Sequence, residues 1–134
     1  MTTAVELIRA PGLAPAPYAY AATAPASCRL IHLAGACPLT LQGETAALGD
    51  VAGQTRICLE NLETALAAAG AELTDVIGSR VLVATTERAD LIAAWDVVAA
   101  HFDAHDVPST LVGVTVLGYP GQLVEIEAVA AVAG

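Results

Sequence analysis

The stretch Leu123-Val124-Glu125-Ile126-Glu127-Ala128-Val129-Ala130-Ala131-Val132 constrains the fold more than any other part of the chain. It is strand-forming throughout, contains no glycine or proline, and is long enough to cross a whole sheet. Its second half, Val129-Ala130-Ala131-Val132, is apolar on both faces, and so is Val81-Leu82-Val83. A strand with two apolar faces has to be covered on both sides. Only two amphipathic helices are legible in the 134 residues, and two helices cover one face. The second face then calls for a neighbouring subunit. A mean hydropathy of +0.65 points the same way, because a lone soluble copy would struggle to hide that much apolar surface.

The first helix starts at Asp50, a good N-cap, after the Gly49 turn. Val51, Cys58, Leu62, Ala65, Leu66 and Ala69 fall at helical spacing, and Gly70 ends the run as a C′ residue. The second helix starts near Thr86, with Glu87 and Asp90 at the positive end of its dipole. Leu91, Trp95, Val98 and Phe102 mark its buried stripe. Strands are expected over Val5–Arg9, Arg29–Ala34, Val76–Ala84, Thr110–Leu117 and Leu123–Val132. Pro11, Gly12, Pro15, Pro17 and Pro25 make the segment between the first two irregular, with Tyr18-Ala19-Tyr20 readable as strand or loop. Strands, helix, strand, helix, strands is an α+β order with a split βαβ unit, in a single domain over residues 1–134.

Composition removes several function classes. The five basic residues are all arginine, so neither a Lys Schiff base nor a P-loop lysine is available. Net charge is −9, and five scattered arginines make no basic stripe, which argues against nucleic acid and against an anionic membrane surface. No signal peptide and no membrane-spanning run is read, and Cys28, Cys37 and Cys58 lack CxxC spacing. A reduced, cytoplasmic location is expected. Ser27, Ser79 and Ser109 lie in no GxSxG motif. His101 and His105 sit at i and i+4 but at or past a helix end, with no third ligand, so no metal is expected.

Several segments, in order and at matching spacing, resemble the RidA/YjgF/YER family, the reactive intermediate deaminase superfamily. They are Ala16-Pro17-Tyr18, Leu33-Ala34-Gly35-Ala36-Cys37-Pro38, Gly49-Asp50-Val51-Ala52-Gly53-Gln54-Thr55 running on to Glu60-Asn61-Leu62 and Ala69-Gly70, and Val124-Glu125-Ile126-Glu127-Ala128-Val129-Ala130. The resemblance implies a chorismate-mutase-like fold, a mixed sheet with two helices on one face, and a homotrimer with a small-molecule cleft at each subunit interface. It also implies hydrolysis of imines or enamines to 2-oxo acids and ammonia, with no cofactor.

The sequence departs from that family where the family binds its substrate. Pro108-Ser109-Thr110 stands at the family's Pro-x-Arg, so Thr110 occupies the position of the carboxylate-binding arginine. Ala34 replaces a serine of the turn, and Trp95 stands at a helical asparagine that lines the cleft. Threonine offers neither a cation nor a bidentate fork.

Glu125 and Glu127, at i and i+2, share one face of the last strand. Glu125 is the candidate catalyst, activating a water in the cleft. Glu127 is read as hydrogen-bonded to backbone or tyrosine groups at a subunit seam. The candidate substrate-binding set is Tyr18, Ala34, Gly35, Cys37, Trp95, Thr110 and Tyr119. Tyr18 is equally readable as an interface aromatic, Trp95 as core, Cys37 as a small buried hydrophobe, and Tyr119 as a turn residue. Three function classes follow: a hydrolase weak on ordinary 2-imino acids, a non-catalytic binding module for a rather apolar metabolite, and an endoribonuclease, which the charge disfavours.

Overall fold

The computed structural model describes residues 3–134. The chain runs β1 (Glu6–Ile8), β2 (Ala21–Thr23), β3 (Cys28–His32), α1 (Val51–Ala68), β4 (Val76–Ala84), α2 (Arg88–Phe102), β5 (Ser109–Val114) and β6 (Val124–Ala133), with a 3₁₀ turn at Leu73–Asp75. This is the expected α+β order. Four strands form one mixed sheet in the order β3-β6-β4-β5, and β1 pairs with β2 in a separate ribbon. β4 and β5 are parallel and joined through α2, while β6 is antiparallel to both its neighbours.

The first helix obeys its caps. Asp50 accepts a hydrogen bond from Gly53 N–H at 2.9 Å, and Gly70 ends the run at φ +79°. The second begins two residues later than expected. Thr85 Oγ1 accepts from Glu87 N–H at 3.0 Å and donates to Asp90 at 2.6 Å, which fixes the first turn from outside.

Both helices pack on one face of the sheet. Cys58, Leu59, Leu62, Leu66, Ala94, Val98 and Phe102 meet Ile31, Val81, Val83, Val124, Ile126, Ala128 and Ala130 in one core cluster. Leu62 and Leu66 are fully buried, and truncating either to alanine would cost about 2–5 kcal/mol. The opposite face carries Leu82, Val112 and Val129, all half-buried, and Leu30, 58% exposed. That face is uncovered within the chain, as two helices require, and it mixes these apolar side chains with Glu125, Glu127, Arg80 and Thr110.

Some boundaries shift for reasons of pairing. β5 stops at Val114 because its last partner is Ala84, where β4 ends, so residues 115–117 have nothing to bond. β3 ends at His32 rather than Ala34. Leu33 N–H still reaches Ala128 O, but the chain then lifts off at Gly35 before bridging Ile126 through Ala36. β1 is Glu6–Ile8, shorter than Val5–Arg9, and β6 runs one residue later than Leu123–Val132. Ala21–Thr23 forms a strand that its alanines do not announce. Tyr18-Ala19-Tyr20 is loop.

Candidate functional site

Glu125 rises from the centre of the sheet, directly across from Leu82 of β4. Its face is the one away from the helices, shared with Glu127 as the alternation requires. One carboxylate oxygen, Oε1, accepts from Gln122 Nε2 and from the Cys37 thiol, each at 3.2 Å. The rest of the carboxylate lies against Gly35, where a Cβ would overlap it. Gly35 is therefore required by close approach.

Two buried or half-buried amides of α1 hold this arrangement from behind. Gln54, fully buried, accepts from Leu123 N–H at 2.7 Å and donates to Gly121 O at 3.0 Å. That fixes the loop on which Gln122 sits. Gln122 in turn accepts from Tyr119 N–H at 3.1 Å and donates to Val124 O at 3.0 Å. Asn61 donates to Cys37 O and Leu39 O, at 2.8 and 3.1 Å, and so fixes the turn that carries Cys37. Burial and the neighbouring Glu125 push the Cys37 thiol up to about 11, so it stays protonated and donates. It is a hydrogen-bonding partner of Glu125 rather than a nucleophile.

A second group of residues frames a groove of about 600 Å³ at the other end of the same strands. Tyr18, Ala19 and Tyr20 form one wall, and His32, Arg80, Ser109, Thr110 and Glu127 line the sheet side. Asp106 secures the Tyr18 loop: its backbone oxygen accepts from Ala19 N–H at 2.7 Å, and its carboxylate pairs with Arg9. The Arg9 guanidinium holds that carboxyl below the usual range. Ser79 and Ser109, both in the groove lining, share a hydrogen bond of 2.6 Å.

The candidate residues thus fall in two groups. Gly35, Cys37 and Glu125 come together. Tyr18, Trp95 and Thr110 come together separately: Trp95 packs edge-on to Tyr18 at 6.2 Å and shares a recess with Thr110. Thr110 lies two strands and two residues from Glu125, about 12 Å by sheet spacing. Ala34 is exposed between the groups, and Tyr119 is exposed on the β5–β6 loop, touching the Glu125 group only through its backbone.

Three contributors escape a sequence reading. Gln122 and Gln54 act through contacts with residues far apart in the chain or hidden in a loop. Arg80 stands beside Thr110 in the β4–β5 register and beside Glu127 in the β4–β6 register, its Nε 3.2 Å from Glu127 Oε1. Glu127 is thus paired with an arginine, not with backbone or tyrosine as expected. His101 lies 2.8 Å from Glu63 of α1, and His105 donates to Val76 O at 2.8 Å. Among the described residues no three His, Cys, Asp or Glu side chains gather as a metal site.

A family model described as Endoribonuclease L-PSP matches residues 10–132. The chain belongs to this family, the RidA/YjgF proteins. A Rid-family protein of unknown function from Yersinia pestis, YyfB, is 30% identical over 97% of this chain and 100% of that one, with a TM-score of 0.87. A YjgF/YER057c/UK114 family member from Mycobacterium tuberculosis is also 30% identical, over 96% and 99%, with a TM-score of 0.64. A second Yersinia pestis Rid protein, YyfA, is 25% identical over 96% and 100%, with a TM-score of 0.68. No curated protein matches the chain. Within the RidA/YjgF fold Glu125 and Thr110 lie on the sheet face that the helices leave open, and Trp95 reaches Thr110 from α2 at the β5 edge. No helix among the described residues is long and apolar enough to cross a membrane.

Proposed function

We propose that the chain is a RidA-like homotrimer, one domain over residues 1–134, that hydrolyses imine- or enamine-type intermediates in clefts between its subunits. Glu125 is the general base. It takes a proton from a water as the water oxygen adds to the C=N carbon and hands that proton to nitrogen, giving a carbinolamine; it then takes the hydroxyl proton as C=O forms and passes it to the nitrogen that leaves as the C–N bond breaks. The products are a carbonyl compound and ammonia. The observation that carries this reading is the held carboxylate: two donors on one oxygen and a glycine against the other fix Glu125 in one orientation on an open sheet face. Preorganisation of this kind is what a general base needs. No cofactor enters the scheme.

Thr110 in place of a carboxylate-binding arginine makes the protein weak on ordinary 2-imino acids such as 2-iminobutanoate. Losing a charge-assisted bidentate contact costs about 2–5 kcal/mol, or a few powers of ten in rate. Tyr18, Ala34, Gly35, Cys37, Trp95, Thr110 and Tyr119 are assigned to the cleft wall. The open face with Leu30, Leu82 and Val129 supports trimer formation. A cytoplasmic setting suits its free thiols.

A non-catalytic binding module is the second reading, favoured by Trp95 beside Tyr18, which makes the recess at Thr110 apolar. An endoribonuclease is disfavoured by the charge of −9. Ammonia release from enzymatically generated imines, compared between wild type and Glu125→Gln, tests the assignment. A hydrolase loses about 100-fold or more. A binding module releases no ammonia above background in either form.

A further inference from the structure

Thr110 leaves the groove without the expected cation on β5, yet the groove is not without a cation. Arg80 is its cross-strand neighbour, one strand nearer the centre of the sheet. The other arginines lie elsewhere: Arg9 pairs with Asp106, and Arg29, Arg56 and Arg88 are outside the groove lining. We propose that Arg80 is the groove's carboxylate anchor, a guanidinium moved by one strand from β5 to β4, and that the ligand is a small carboxylic acid rather than a neutral apolar molecule. This rests on the reading of the cleft as a metabolite site.

Three observations carry it. Arg80 is the one permanent cation among the described residues that line the groove. Its side chain is 59% exposed within the single chain, so no packing inside the chain occupies it. Its contact with Glu127 is made through Nε at 3.2 Å, and neither Nη carries a hydrogen bond to any described residue. Glu127 therefore engages one edge of the guanidinium and competes for its charge, while the terminal fork stays open. A planar fork with two free N–H edges matches a carboxylate. Ser109 and the Tyr18 wall bound the space in front of it.

The displacement also explains how the groove binds an acid yet turns over ordinary 2-imino acids slowly. One strand is about 4.8 Å, so a carboxylate held by Arg80 shifts the reacting carbon by a comparable distance. A shift of that size takes a near-attack geometry apart without abolishing binding.

Calorimetry with 2-oxobutanoate, and with butan-2-one as the uncharged control, tests the anchor. Wild type is expected to bind the acid more tightly than the ketone. Arg80→Gln should weaken the acid by at least about tenfold and leave the ketone unchanged. Glu127→Gln frees the guanidinium of its competitor and should tighten the acid by about threefold. Equal acid affinity in wild type and Arg80→Gln, or no acid binding by wild type, overturns the proposal. So does weaker acid binding by Glu127→Gln, which would make the pair merely structural. If Arg80→Gln fails to fold as wild type does, Glu127→Gln still decides. Unchanged ammonia release by Glu125→Gln would remove the hydrolase reading and leave the anchor standing, so the two fail separately.

Discussion

The carboxylate of Glu125 fills the space in which a side chain on residue 35 would begin. Glu125 belongs to β6 and Gly35 to the turn after β3, and the two strands pair along Cys28–His32 and Val129–Ala133. The ladder is interrupted at Gly35 so that the carboxylate can lie across it. Gly35→Ala should push Glu125 away from Gln122 and Cys37, lowering stability by about 1–3 kcal/mol and ammonia release with it. Urea denaturation beside the ammonia assay checks both. Wild-type values in each would show that the carboxylate has room to spare.

Gln54 bears on the same group from the far side of the sheet. Gln54→Ala leaves the half-buried Leu123 N–H and Gly121 O without the side chain that pairs with both, and empties a fully buried position. A loss of about 2–4 kcal/mol is expected from two orphaned backbone groups. The midpoint of a denaturant transition reads it directly, with Glu60→Ala on the exposed side of α1 as the control.

Cys37 gives the pH dependence. Its folded thiol titrates near 11 against 9.0 for the free group, so the folded state holds the proton more tightly. The stabilisation is therefore complete below pH 9 and is lost as pH rises from 9 towards 11. Cys37→Ala should flatten the stability profile across that window. Iodoacetamide at pH 8 should alkylate Cys37 more slowly in the native protein than in urea, by peptide mapping. Equal rates would mean the thiol is neither shielded nor engaged by Glu125.

A trimer has a mass of about 40 kDa, three copies of 13.5 kDa. Light scattering at micromolar concentration should return that value. A stable monomer would remove the inter-subunit cleft and the function built on it.

Thr110→Arg adds a cation on β5 beside Arg80, at the position that the sequence resemblance assigns to a carboxylate-binding arginine. A roughly tenfold gain in 2-oxobutanoate affinity is expected, about 1.4 kcal/mol. The gain is held down because Arg80 already stands alongside and Glu127 lies within reach of both. No acid binding in either form, with the variant a folded trimer, would turn the groove over to an apolar ligand.

The elements with local signals were legible. Asp50 and Gly70 bracket α1, and Val76–Ala84 matches β4 residue for residue, because caps and β-branched runs act over a few neighbours. Glu125 and Glu127 on one face follow from alternation alone. The rest depends on register. Arg80 and Thr110 are 30 positions apart and become neighbours only when β5 docks parallel to β4. Gln54 reads as one polar residue on a helix until Leu123 arrives beside it. The split between Glu125 and Thr110 has the same origin, since the sequence resemblance put both in one expected cleft without saying how far apart one chain holds them.

β6 lies in the interior of the sheet, between β3 and β4, yet it comes last in chain order among the strands of that sheet. While the ribosome is still working through α2 and β5, β3 has no partner and β4 has an open edge. The sheet cannot close until Val124–Ala133 has emerged and slid into the gap, forming two ladders at once. Closing the sheet consequently depends on non-local pairings of high contact order, and any form that still lacks β6 carries two open strand edges that invite either a chaperone or a mistaken neighbour.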